Sequence, residues 1–377
     1  MDKLPAGPRA RITSVELMRF IAAIAVMIFH FFTVYINSDG LVVFAYVFVD
    51  FFFVLSGFFM MKHLTEKKEP LNPAAFLLHK VRSFYPIFIT AFALQFLLFV
   101  EMNRLFSFRE ALGALRHFKW EALLLQTTHF IPDPQFNTDY LLGQAWYLSA
   151  MMLALVFAYP LAKYMRKWFL ALICPLAILL IYSYAMEALG TMNIGNEYFG
   201  VISSAVLRGF AGTCVGSLCY AGYGYLKDHH VKGRKVASAI EILCYLGVLV
   251  LIFLPGGISD ADSLFFVLVF GLIIIFSFLD ETPVSHFLNT HGTGVLSWLG
   301  SISLYLYLLH WSVMTGLNLW GKGLDPALAV ALYFAITLAL SIILKYINEK
   351  RKTALPIALI AGLLIIAAFV LAVLQTG

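Results

Sequence analysis

Ser14-Val-Glu-Leu-Met-Arg-Phe-Ile-Ala-Ala-Ile-Ala-Val-Met-Ile-Phe-His30 is the stretch on which the fold turns. The apolar run it opens extends from about Val15 to Ile36. At about 1.5 Å per residue, a helix of that length crosses a hydrocarbon core of about 30 Å. It is too long for the apolar region of a signal peptide, and no small-x-small cleavage pattern follows it, so it reads as a retained first helix. Comparable runs recur near residues 41–61, 84–102, 143–162, 168–189, 200–226, 236–254, 263–279, 295–319, 327–347 and 354–374. Backbone groups in lipid must be paired internally, which leaves helices or a closed barrel. Runs of about 20 residues without a period of two exclude the barrel. The expected architecture is therefore an all-α polytopic bundle of about eleven transmembrane helices.

Composition agrees. Of the 377 residues, 61% are hydrophobic and 12% charged, against about 25% charged in a soluble chain. Cys174, Cys214, Cys219 and Cys244 all fall inside apolar runs without CxxC or metal-ligand spacing. They read as small packing residues, and no metal is implied. The formal charge of +5 need not signal an anionic partner such as nucleic acid, because surplus Lys and Arg in a membrane protein report orientation. On the expected spans, nineteen basic residues fall on the side of the N-terminus and five on the other. That bias places the N-terminus in the cytoplasm and, with an odd span count, the C-terminus outside. The one long connection, residues 103–142, is expected to form an interfacial segment, with an amphipathic helix over Trp120 to Phe130.

A charge at mid-bilayer costs from about 2.5 kcal/mol upward, so such groups face a cavity or a partner. Glu16, Arg19 and His30 on the first helix, Asp50 on the second, Arg208 on the sixth and His310 on the ninth qualify. Glu187 and Glu241 stand near helix ends, where reaching for water explains them. Eleven residues separate Arg19 from His30, which returns to within about 20° of the same face and about 16 Å further along the axis. Glu16 lies one turn before Arg19 and can pair with it. The three sketch a polar shaft entered from the cytoplasm, although Glu16 and Arg19 also suit a plain interfacial position. For Asp50, a buried structural pair with Arg208 competes with a catalytic role.

The segment Ser14–His30 resembles the opening signature of the acyltransferase 3 family, bacterial-type membrane O-acyltransferases with an Arg and a His separated by ten residues. Further stretches are similar to the family's motifs in the expected order: Val49-Asp-Phe-Phe-Phe-Val-Leu-Ser-Gly-Phe58, Lys80 to Pro86, Ala145-Trp-Tyr-Leu-Ser149, Leu299-Gly-Ser-Ile-Ser-Leu-Tyr-Leu-Tyr-Leu-Leu-His310 and Tyr346-Ile-Asn-Glu349. Glu16 stands where the family usually has Asp. The likeness covers about residues 14–350, which implies a core over 1–350 and an additional C-terminal transmembrane helix in 351–377.

What the resemblance implies is acyl transfer, with acetyl the expected group, from cytosolic acyl-CoA to a hydroxyl of a cell-envelope glycan or similar acceptor, in the cell membrane. His30 becomes the general base or a transiently acylated residue, with Asp50 beside it. Arg19, Glu16, Lys80 and Arg82 become donor-binding residues, and Arg208, His310 and Trp146 shape the centre or hold the acceptor. The chemistry is consistent with that reading, since a His supplies a near-neutral base and cations hold phosphates. Rival readings are a transporter or flippase of a glycan or lipid-linked intermediate, and a structural subunit of an envelope complex. Transporters show inverted repeats and interrupted helix pairs, and neither stands out here.

Overall fold

The computed structural model describes residues 11–37, 44–105, 107–128, 140–194, 197–229, 234–253, 260–350 and 355–374. The chain begins with α1 (Thr13–His30), which widens into a π-helix over Phe31–Ile36. α2 (Phe48–Glu66) and α3 (Pro73–Met102) follow, then the short α4 (Phe108–His117) and α5 (Lys119–Ala122). α6 (Trp146–Tyr164), a single turn α7 (Arg166–Trp168) and α8 (Cys174–Ala188) lead to a small hairpin, β1 (Tyr198–Phe199) and β2 (Ile202–Ser203). The remainder is α9 (Ser204–His229), α10 (Arg234–Phe253), α11 (Asp260–Leu279), α12 (Pro283–Thr290), α13 (Thr293–Trp320), α14 (Pro326–Lys350) and α15 (Leu355–Leu374).

The protein is an all-α, multi-pass membrane protein. Among the described residues, eight helices are long and apolar enough to cross a membrane, and nine if the bent pair α12–α13 is one span. α9 has the length but not the apolarity, because Arg208, Gly209, Gly212, Thr213 and Gly216 lie in its first half. It packs against α2, α6, α8 and α11, so its neighbours are protein rather than lipid and polar side chains can be satisfied there. Many of the large apolar side chains left exposed, such as Leu180, Leu243, Ile343 and Leu363, lie on α8, α10, α14 and α15, as contact with lipid requires.

Association between helices in lipid depends on close backbone approach at small residues. A Cβ added at Gly216 would overlap the Val54 carbonyl oxygen, and one at Gly57 would overlap that of Thr213, so α2 and α9 touch backbone to backbone. α1 and α13 meet in the same way at Gly300, where an added Cβ would collide with Glu16. These two contacts set α1, α2, α9 and α13 around one interior.

Two expectations need correction. The amphipathic helix of the interfacial segment is α4, at 108–117, where Ser107 accepts from the Glu110 N–H and caps it. Among the described residues, no helix continues from Trp120 beyond Ala122. α5 ends after one turn and Leu124 takes a left-handed conformation, because the Glu121 carboxylate turns inward to accept from the Leu141 and Leu142 N–H groups at 2.6 and 2.7 Å. Burial pushes that carboxyl up to about 8, against the opposing pull of the two donors. Residues 129–139, where the rest of the expected helix falls, lie outside the described residues. Glu241, for its part, does not reach water. It is fully buried on α10 and accepts from the Val284 and Ser285 N–H groups, capping α12. α12 then meets α13 at a 92° bend made possible by Gly292, whose φ is +66°.

Candidate active site

His30 and His310 come from α1 and α13, 280 positions apart, and meet with Nδ1 of His30 3.1 Å from Nε2 of His310. The rings are parallel within 11°, and the edge of Trp311 closes on His30 at 5.3 Å. The Leu306 carbonyl, 3.3 Å from His310 Nδ1, can only accept, so that nitrogen carries the His310 proton. Nε2 of His310 is then the acceptor and His30 donates through Nδ1. His30 is left with a bare lone pair on Nε2, for which the described residues supply no hydrogen-bond partner. His310 is fully buried, whereas His30 is half-buried. The π-helical widening of the first span starts at the next residue, Phe31, a distortion often found at functional sites.

α13 is locked in place beside this pair. The Tyr307 hydroxyl donates to the Gln144 carbonyl at 2.6 Å, and the Gln144 amide donates to the Leu308 carbonyl at 2.9 Å. Gly143 allows the contact, since a side chain there would run into the Trp311 ring. Tyr307 in turn forms part of the wall of a cleft of about 230 Å³ between α1, α2, α3, α6 and α13, and its ring lies 6.0 Å from that of His310. Arg19, Lys80 and Ser83 line the same cleft, as do Ser56, Tyr147 and Met151. Arg19 pairs with Glu16 at 3.2 Å, as the one-turn spacing requires, while Lys80 has no carboxylate partner among the described residues. One cleft thus carries two cations, with a tyrosine beside the histidine pair on its wall.

The other residues expected at the site divide. Asp50 does not meet His30. Both of its oxygens are taken by Arg208, at 3.1 Å to Nε and 2.6 Å to Nη2, and Nη2 also donates to the Tyr46 carbonyl. Both side chains are completely buried, and the guanidinium lies 5.7 Å from the Trp146 ring. Asp50, Arg208 and Trp146 thus form a separate knot joining α2, α9 and α6. Arg82 is exposed and lines no cleft beside Lys80, because a two-residue step on α3 turns it away while the three-residue step to Ser83 does not. Sequence reading does not single out Tyr307, Gln144, Trp311, Ser56 or Tyr147, although all five lie within or next to the quoted motifs. Their one sequence signal is spacing: Tyr307 is one turn from His310, and Ser56 is one turn from Phe52.

The family comparison settles the class of protein. A family model described as an acyltransferase domain matches residues 12–346. The chain belongs to the acyltransferase 3 family. The match takes in α1 through nearly all of α14, and so includes the histidine pair, the cleft and the Asp50–Arg208 knot. It stops before α15, which packs against α3 and α4 with Phe369 between Phe96 and Phe108. No curated protein and no solved structure matches the chain. Membership makes this acyltransferase 3 protein a membrane acyltransferase in general terms, and leaves donor and acceptor to be argued from the site.

Proposed function

We propose that this protein transfers an acyl group, acetyl in the first instance, from cytosolic acyl-CoA to a hydroxyl of a cell-envelope glycan or a similar acceptor. The observation that carries the reading is the bare Nε2 of His30, held by His310 beside a cleft lined by Arg19 and Lys80. In the proposed step, His30 Nε2 takes the proton of the acceptor hydroxyl as its oxygen attacks the thioester carbon. The C–S bond breaks, and the leaving thiolate takes the proton back. His310 accepts the Nδ1 hydrogen bond throughout, orienting the ring and stabilising the imidazolium. Because His310 is fully buried, His30 is the member of the pair that can reach substrate. Direct transfer needs no covalent intermediate, and acylation of His30 itself is the alternative course. Asp50, expected near the base, supports the reaction only by holding α2 against α9.

The two cleft cations fit a polyanionic donor. Arg19→Ala and Lys80→Ala are each expected to weaken acetyl-CoA binding by at least about tenfold, the effect of losing a charge-assisted bond. Arg19→Lys should retain part of it, keeping the charge without the fork. Calorimetry on the purified protein is the check, and unchanged affinity in both alanine variants would remove the donor from this cleft. The transporter reading draws little from the broken helix pair α12–α13. Its bend at Gly292 lies eighteen residues from His310, at an end of the helix and not at a mid-membrane site.

The reading also takes the chain as eleven spans in the cell membrane, a ten-helix core plus the C-terminal helix, with the N-terminus cytoplasmic. The nineteen-to-five distribution of basic residues supports it. Lys67 and Lys322 are both exposed and fall on opposite sides in this scheme. In a cysteine-free background, an impermeant maleimide applied to intact cells should label Lys322→Cys and leave Lys67→Cys untouched. The reverse pattern would invert the topology.

A further inference from the structure

A second cleft, of about 330 Å³, adjoins the first and shares Phe59 with it. Arg11, Lys62 and Lys67 line it together with Glu16, Glu66 and Phe278. The two carboxylates are already engaged, Glu16 with Arg19 and Glu66 with Lys62. Lys67 has no carboxylate partner among the described residues, and Arg11 donates to the neutral Ser297 carbonyl, which leaves its charge unbalanced. The cleft therefore has positive charge to spare. It also has an aromatic wall. Phe59 is 41% exposed, an unusual state for a ring otherwise flanked by buried residues of α2, and it packs edge-on against Phe278 at 5.8 Å. Lys62 lies over the Phe278 ring. Uncommitted cations next to an uncovered aromatic ring make a site for a ligand that is both anionic and flat.

Resting on the donor reading above, we infer that this second cleft binds the adenine nucleotide portion of the donor. The base stacks on Phe59 and the ribose phosphate sits against Lys67 and Arg11, leaving the diphosphate link of the donor to Arg19 and Lys80. Stacking on an aromatic ring is indifferent to the identity of the base, whereas phosphate attraction is indifferent to the ring, so the combination selects a nucleotide over either part alone. Phe59 and the Glu16–Arg19 pair stand between the two clefts, and the arm carrying the thioester would pass this point into the cleft beside the histidine pair. The arrangement separates holding of the nucleotide from chemistry on the acyl end.

The test uses the full chain in phosphatidylcholine nanodiscs, with adenosine 3′,5′-bisphosphate as probe and calorimetry as readout. Binding is expected to the wild type, weakened about tenfold or more in Phe59→Ala and weakened about tenfold in Lys67→Ala. Phe59→Leu keeps bulk without a ring, and it should lose affinity while retaining the wild-type melting temperature. Failure of the wild type to bind the probe would overturn the inference. So would pyrophosphate competing as well as the nucleotide, which would make this a bare phosphate or lipid-headgroup site. Acetyl-pantetheine, which lacks the nucleotide, keeps the two readings apart. Turnover of it by the wild type without nucleotide binding leaves acyl transfer standing and removes this site. Nucleotide binding with no turnover of either donor does the opposite.

Discussion

Replacing His30 with alanine is expected to lower acyl transfer by between about a hundredfold and ten-thousandfold, the range over which a positioned general base contributes. Donor binding should be nearly unchanged, because the residues proposed to hold the donor, Arg19 and Lys80, line a cleft to which His30 does not contribute. The fold should also survive, since the ring is only half-buried and His310 is its one hydrogen-bonded partner among the described residues. His310→Ala should cost less, about tenfold to a hundredfold, because it removes the group that orients the base and leaves the base itself. Both variants belong in one assay of labelled acetyl transfer, with donor affinity and melting temperature measured alongside. Substantial turnover without His30, together with none without His310, would reverse the assignment. Equal and complete loss in both, with folding and binding intact, would mean that the imidazoles act as one proton-transfer unit.

Breaking the Asp50–Arg208 pair is expected to produce the largest loss of stability available from a single substitution in this protein. Asp50→Ala leaves a fully buried guanidinium with the Tyr46 carbonyl as its remaining hydrogen-bond acceptor among the described residues, and the cost of an uncompensated buried charge is about 3–5 kcal/mol. Arg208→Ala strands the carboxylate in the same way. Replacing both at once, Asp50→Leu with Arg208→Met, removes the charges together and should recover most of the loss. Thermal unfolding in detergent reports the stability, and the double variant also decides the role of Asp50. If it is stable and active, the pair is structural. If it is stable and inactive, Asp50 takes part in the chemistry and the knot is not separate from the histidine pair.

Features that depend on neighbours along the chain are legible in the sequence. The helical, membrane-spanning class follows from the length of the apolar runs, because lipid leaves the backbone no alternative. The Glu16–Arg19 pair and the placing of Arg19 and His30 on one stripe of α1 follow from the helical period alone. Where a sequence-based expectation fails, the cause is a partner distant along the chain. Arg82 is the exception: charge alone groups it with Lys80, and the two-residue step along α3, a local feature, turns it away. A position near a helix end points Glu241 towards water, and the α12 N-terminus meets it first. The helix expected from Trp120 fails because Glu121 takes up two backbone donors from residues about twenty positions away.

Local periodicity and the cost of charge in lipid suffice to make this chain a helical membrane protein with its ionisable residues confined to a few helices. The ordered motifs suffice to point to the acyltransferase 3 family. Neither says which of those residues touch. His30 could have met Asp50 or His310, both placed at similar depth by their distance along their helices. The choice rests on how closely α1 approaches α13 and α2 approaches α9. Those approaches are set at Gly300, Gly57 and Gly216, where one added methyl group would push the backbones apart. Side-chain partners 158 and 280 positions apart are fixed by packing, which no local pattern encodes.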